Sequence, residues 1–146
     1  MANYQLNTGK LFEDDLLVVA KQFFASKNDE GSFVETTGTE LDKYEGTDAL
    51  IWGVPVDFTY NFDNKDNMIE LQRSIILSLG IEVKFGVRVA NECHRFKTPV
   101  LVIGFKCDTC WLKTMWENIF DDIRRSFEEI IETGQDQYWN CLDAMA

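Results

Sequence analysis

One stretch of the chain limits the available folds more than any other. Residues 99–105 read Pro-Val-Leu-Val-Ile-Gly-Phe, an unbroken apolar run. Such a run is typical of a central strand that is covered on both faces, because a strand with one solvent-exposed face alternates apolar and polar residues. The sequence therefore predicts a sheet with further elements layered against it.

Helical and strand-like periodicities surround this run. Apolar residues at helical spacing predict three helices: residues 11–25, a segment from Met68 to Leu79 stopped by Gly80, and a long final helix from Leu112 to about Thr133. Strand patterns cover residues 32–37, 47–52, 54–62 and 81–90. The order helix, strands, helix, strands, helix predicts an α/β or α+β fold, with a mixed central β-sheet flanked by helices. We expect a single domain over residues 1–146.

Net charge restricts the function. The 146 residues include 14 Lys and Arg against 25 Asp and Glu, a formal charge of −11. A protein that coats DNA or RNA usually has a basic surface, so this class is disfavoured. The middle of the chain is different, because residues 63–116 carry 8 basic and 6 acidic side chains. Lys84, Arg88, Arg95 and Lys97 form a local basic strip there, which is either ordinary solvated surface or a contact for nucleic acid.

Targeting signals are not evident. The sequence contains no run of about 18 apolar residues, so it predicts no membrane span. The segment Met1-Ala-Asn-Tyr-Gln-Leu lacks the basic start and apolar core of a secretion signal. We therefore expect a cytoplasmic protein that does not contact membranes.

Two aspartates in adjacent strands are the most informative feature. Asp48 and Asp57 lie among apolar residues, five positions before and four after Gly53, which marks the turn of a predicted hairpin. Opposed across that hairpin, the two carboxylates would repel each other, and a divalent cation with a preference for oxygen ligands, Mg²⁺ or Mn²⁺, would relieve the repulsion. The alternative is that both are exposed residues near a strand edge or turn.

The surrounding pattern resembles a known superfamily. Gly46-Thr-Asp48, an apolar strand, a turn and then Val56-Asp57-Phe58 are similar to the core of the PD-(D/E)XK nucleases. Gly9-Lys-Leu-Phe-Glu13-Asp-Asp-Leu16 resembles the first helix of Holliday-junction resolvases. The resemblance covers about residues 9–62 and implies that Glu13, Asp48 and Asp57 hold Mg²⁺ and that the protein hydrolyses phosphodiester bonds.

One position departs from the superfamily pattern. The lysine expected two residues after the second acidic residue is replaced by Thr59, which can form hydrogen bonds but carries no charge. That lysine would stabilise the developing negative charge on phosphate. Lys84, Arg88 or Lys65 would have to supply the charge instead, or the protein is catalytically inactive.

The cysteines suggest a second kind of site. Cys107 and Cys110 form a C-x-x-C, and Cys93 and His94 precede it by about thirteen residues, a set that could bind zinc tetrahedrally. A second C-x-x-C is missing, so reduced thiols without a metal are the favoured interpretation.

The acidic final helix allows a different class of function. Its acidic residues are Asp121, Asp122, Glu128, Glu129 and Glu132. They could mimic the phosphates of a nucleic acid, as in an acidic inhibitor of the anti-defence type made by phages, which would bind a basic protein that handles nucleic acid. The simpler interpretation of these residues is a solvated helix face.

Overall fold

The computed structural model describes residues 8–36, 47–60, 68–88, 99–106 and 116–145. Two helices, α1 (Thr8–Ser26) and α2 (Trp116–Met145), enclose six strands in the sequence order. The strands are β1 (Phe33–Glu35), β2 (Ala49–Ile51), β3 (Val54–Thr59), β4 (Met68–Ile76), β5 (Glu82–Arg88) and β6 (Val100–Lys106). All six belong to one sheet, so the predicted α+β architecture with a mixed sheet is confirmed.

The sheet has the strand order β1-β2-β3-β6-β5-β4. Only the β3–β6 pair is parallel, and its neighbours are antiparallel. Strand β6 therefore lies inside the sheet, and its residues from Val100 to Phe105 are all buried. The prediction of a central strand covered on both faces is confirmed.

Both described helices lie on one face of this sheet. Phe12 of α1 contacts Phe105 of β6 edge-to-face, with ring centroids 5.5 Å apart. The same ring lies 5.2 Å from Phe120 of α2, so the two helices share one apolar layer. The opposite face carries Asp57 and Val102, which are register partners across the parallel β3–β6 pair.

Gly134 explains why α2 is longer than the sequence predicts. The predicted end at about Thr133 is wrong, because the helix continues to Met145. A glycine after an apolar stripe usually marks a helix end. Here it permits close packing instead, since a Cβ at Gly134 would lie 3.1 Å from Leu101 Cδ2 and 3.3 Å from Phe85 Cδ1.

The helix predicted from Met68 to Leu79 is also wrong, because Met68–Ile76 is strand β4. It pairs with β5 through a short turn in which Gly80 has φ +84°. A register shift between Glu70 and Ser74 adds two residues to β4 relative to β5. The spacing of Met68, Leu71, Ile75 and Leu79, three to four positions apart, is also typical of a helix, and pairing with β5 decides for the strand. The order of elements that agreed with the superfamily included this helix, so that agreement is not observed.

Candidate functional site

The β2–β3 hairpin brings Asp48 and Asp57 together. Ala49 is the register partner of Val56, and the Asp48 N–H donates to the Val56 carbonyl at 2.9 Å. Asp48 directly precedes β2 and the ladder ends at the Ala49–Val56 pair, so Asp48 and Asp57 lie next to each other at the open end of the hairpin. A hydrogen bond joins the two carboxyl groups. The two carboxyl groups are therefore in contact, although the described pairs of the β2–β3 ladder do not extend to them.

A two-residue turn sets this register. Trp52 and Gly53 both have positive φ, +50° and +79°, as in a type I′ turn. The left-handed conformation is unfavourable for Trp52. Contacts with the rest of the protein compensate, because its N–H donates to Ser32 O at 2.9 Å and its ring lies 5.7 Å from Phe24.

Asp48 is held in a partly buried position that disfavours its charge. Its Oδ2 accepts a hydrogen bond from the Phe58 backbone N–H at 3.0 Å. Burial is the main reason why the pKa of Asp48 rises to about 8. The negative charge of Asp57 and the hydrogen bond to it raise the pKa further, the Phe58 N–H opposes the rise, and Glu13 adds the smallest increase. In the absence of a bound cation these effects favour the protonated form of Asp48.

Arg88 contributes a positive charge to the same place. Its Nη1 lies 3.0 Å from Asp57 Oδ2, and the two side chains are only 10% and 9% exposed. Arg88 ends β5, two strands away from Asp57, so its side chain crosses the face of β6 to make this contact. The cluster of Asp48, Asp57 and Arg88, hereafter the carboxylate–arginine cluster, thus links β3 and β5 to the residue that precedes β2.

Glu13 is the third predicted metal ligand. It belongs to α1, which packs on the sheet face opposite the Asp57 side chain, and its effect on Asp48 is the weakest of those named. Within the described residues, no three or more His, Cys, Asp or Glu side chains form a group that could hold a metal. The predicted ligand set is therefore reduced to the pair Asp48 and Asp57.

Two of the three predicted replacements for the superfamily lysine, Lys84 and Arg88, occupy different positions. Thr59, at the lysine position, is buried and pairs in register with Gly104, which in turn pairs with Lys84. Lys84 is thus on the same sheet face, but its Nζ forms an ion pair with Glu82 Oε1 at 3.7 Å. Arg88, by contrast, contacts the carboxylate of Asp57 at 3.0 Å.

Several predicted site residues fall outside the described ranges. They are the zinc candidates Cys93, His94, Cys107 and Cys110, the outer half of the basic strip, Arg95 and Lys97, and the alternative cation Lys65. Of the inner half of that strip, Arg88 is buried in its ion pair and is not an exposed surface charge.

The acidic helix is less suited to phosphate mimicry than its sequence suggests. Asp122 is fully buried, and its Oδ2 accepts a hydrogen bond from the Leu79 N–H at 2.9 Å. Its inclusion in an exposed acidic row is therefore wrong, because it binds the β4–β5 turn. Asp121 is paired with Arg124 at 2.8 Å. Glu128, Glu129 and Glu132 remain exposed on α2.

Sequence reasoning missed the backbone part of the site. The Phe58 N–H binds Asp48, and such a donor leaves no trace in residue identity. Arg88 was one of three predicted cations, but its contact with Asp57 could not be derived from local periodicity, which does not encode the strand order that brings β5 and β3 to either side of β6.

Comparison of the chain with family models, with curated proteins and with solved structures finds no match. Membership of the PD-(D/E)XK superfamily therefore stays a prediction. Neither described helix is long and apolar enough to cross a membrane.

Proposed function

We propose that this protein is a divergent nuclease-fold hydrolase that uses Mg²⁺ or Mn²⁺ to cleave phosphodiester bonds. One observation carries the proposal: two partly or fully buried carboxyl groups, Asp48 and Asp57, meet side by side with a guanidinium in contact. Burying two adjacent carboxyl groups lowers the free energy of unfolding, and such arrangements are concentrated at functional sites.

The donor set fits a small divalent cation. Mg²⁺ is usually bound by one or two protein carboxylates and keeps several waters, so Asp48 and Asp57 are sufficient without Glu13. Carboxylate oxygens, such as those of Asp48 and Asp57, are hard ligands of the kind that Mg²⁺ and Mn²⁺ prefer. When bound, such an ion supplies Lewis acidity toward water and phosphate.

The remaining residues have separate tasks in this proposal. The Phe58 N–H fixes one oxygen of Asp48, which orients the carboxyl group toward Asp57. Arg88 supplies the positive charge that the superfamily takes from the lysine replaced by Thr59. Arginine suits this task, since its planar fork matches the geometry of a phosphate.

Cleavage assays test the proposal directly. Single-stranded, duplex and branched DNA, and RNA, are incubated with the protein in Mg²⁺ or Mn²⁺ and in EDTA. We expect metal-dependent cleavage of at least one substrate, and its loss in Asp48→Asn. This variant is preferable to Asp57→Asn, because Asn resembles the protonated form that Asp48 adopts at neutral pH, whereas removing the Asp57 charge leaves Arg88 buried without it.

Asp136→Asn is the matched control, because Asp136 is exposed on α2 and the change removes the same charge. It should cleave like the wild type. Absence of cleavage for every substrate, together with absence of Mn²⁺ binding in a titration, would contradict the hydrolase. The acidic inhibitor would then be the better hypothesis, and its test is capture of a basic nucleic-acid-handling protein.

A further inference from the structure

The position of Arg88 suggests how cation and phosphate binding are linked at the proposed site. Arg88 and Asp57 are nearly buried, and the contact between them spans the width of β6. A long side chain fixed in this way loses much rotamer freedom. The contact therefore indicates a defined position for the guanidinium, directly beside the carboxyl pair.

A divalent cation held by Asp48 and Asp57 would compete with Arg88 for the same carboxylate. Asp57 Oδ2 lies 3.0 Å from the Arg88 guanidinium, and its carboxyl group also has a hydrogen bond to Asp48. Two positive groups so close together repel each other strongly where water is largely excluded. A cation alone would therefore weaken the Arg88–Asp57 ion pair.

A phosphate group would relieve that repulsion. Its oxygens can accept hydrogen bonds from a guanidinium and approach a divalent cation at the same time. We infer that Arg88 is an anion-binding residue restrained by Asp57, and that a divalent cation and a phosphodiester bind this site with positive cooperativity. This inference rests on the proposed function and names a coupling within the same site.

Linkage makes the inference measurable. If the cation strengthens phosphodiester binding, the phosphodiester must strengthen cation binding by the same factor. The probes are Mn²⁺ and dimethyl phosphate, and the quantity measured is the dissociation constant of Mn²⁺ for the full chain, with and without saturating dimethyl phosphate. Isothermal titration calorimetry provides the value, and circular dichroism establishes that each variant is folded.

We expect dimethyl phosphate to tighten Mn²⁺ binding to the wild type at least tenfold. Arg88→Gln should bind Mn²⁺ alone at least as tightly as the wild type, because a competitor for Asp57 is removed, and its coupling should fall below twofold. Arg124→Gln is the matched control, since Arg124 is an exposed arginine on α2 that pairs with Asp121. It should keep the wild-type coupling.

Two results would overturn the inference while leaving the proposed function standing. One is coupling that persists in Arg88→Gln. The other is a folded Arg88→Gln that binds Mn²⁺ alone more than fivefold more weakly, which would mean that Arg88 positions Asp57 for the cation. Failure of the wild type to bind Mn²⁺ at all would overturn the proposed function, and with it the inference.

If Arg88→Gln does not fold, Arg88→Lys tests whether the guanidinium binds the anion. The ammonium keeps a charge near Asp57 but lacks the two-pronged geometry of the guanidinium. We expect the coupling in this variant to drop at least threefold relative to the wild type. Unchanged coupling would show that the guanidinium does not bind the anion.

Discussion

Replacing Asp48 with Asn should remove a pH dependence of stability that the carboxylate–arginine cluster imposes. An Asn side chain has nearly the same shape as a protonated carboxyl group. Its oxygen can accept the Phe58 N–H, now 3.0 Å from Asp48 Oδ2, and its NH₂ can donate to Asp57. The variant therefore imitates the neutral form of Asp48 without being able to ionise.

The size of the effect follows from the pKa of Asp48 in the two states. Burial and the adjacent Asp57 raise it to about 8 in the folded protein, against the ordinary value of 3.8 that applies to the unfolded chain. Between these values the folded state holds a proton that the unfolded state has lost. The free energy of unfolding must therefore fall as pH rises through this window, by about 1.4 kcal/mol per pH unit.

Between pH 5 and pH 7 this amounts to about 3 kcal/mol, and the decline levels off above the folded-state pKa. Below the unfolded-state pKa both states are protonated, so the group contributes no slope. Asp48→Asn lacks this pH-dependent contribution to the free energy of unfolding. Its stability should equal or exceed that of the wild type at pH 7, and the difference between the two proteins should grow with pH across the window.

Urea denaturation followed by tryptophan fluorescence, in EDTA at pH 5, 6 and 7, measures the difference. Asp136→Asn serves again as the control that removes one carboxylate from an exposed position, and it should keep the wild-type slope. Parallel stability curves for wild type and Asp48→Asn would refute the reasoning. They would show that Asp48 is ionised in the folded protein at neutral pH.

Two further predictions concern the packing of α2. Gly134→Ala should lower the free energy of unfolding by about 1 kcal/mol, because a Cβ 3.1 Å from Leu101 Cδ2 costs more than the gain in helix propensity returns. Stabilisation in a urea titration would show that the helix can move away from the sheet. Asp122→Ala should cost about 1 to 3 kcal/mol, since it leaves the Leu79 N–H without its carboxylate acceptor, whereas Asp122→Asn keeps an acceptor and should cost less. Equal melting temperatures for both variants and the wild type would contradict a structural role for Asp122.

Local sequence was sufficient to predict the hairpin that carries the site. Strand propensity on either side of Gly53 places β2 and β3, and the near-equal distances of Asp48 and Asp57 from that glycine bring them to the same end of the hairpin. The bounds of the first strand differ, since Trp52 belongs to the turn and β2 begins at Ala49, after Thr47 and Asp48. The prediction succeeds because a tight turn fixes the register of the strands it joins.

Prediction from local sequence was wrong at two glycines, because glycine occurs in more than one kind of local structure. Gly80 ends a helix or makes a turn with positive φ, and here it makes a turn. Gly134 ends a helix or allows close approach, and here α2 passes the sheet at that point. Which role applies depends on what lies opposite the glycine, and that is a property of the folded chain.

The sequence alone thus determined that two acidic residues would meet in a hairpin of an α+β protein with a buried central strand. Tertiary structure decided which charge accompanies them. Nothing in the spacing from Asp57 to Arg88 indicates contact, because 31 positions separate them along the chain. They meet because β6 inserts between β3 and β5, and a side chain as long as that of Arg88 can cross one strand to reach a buried carboxylate.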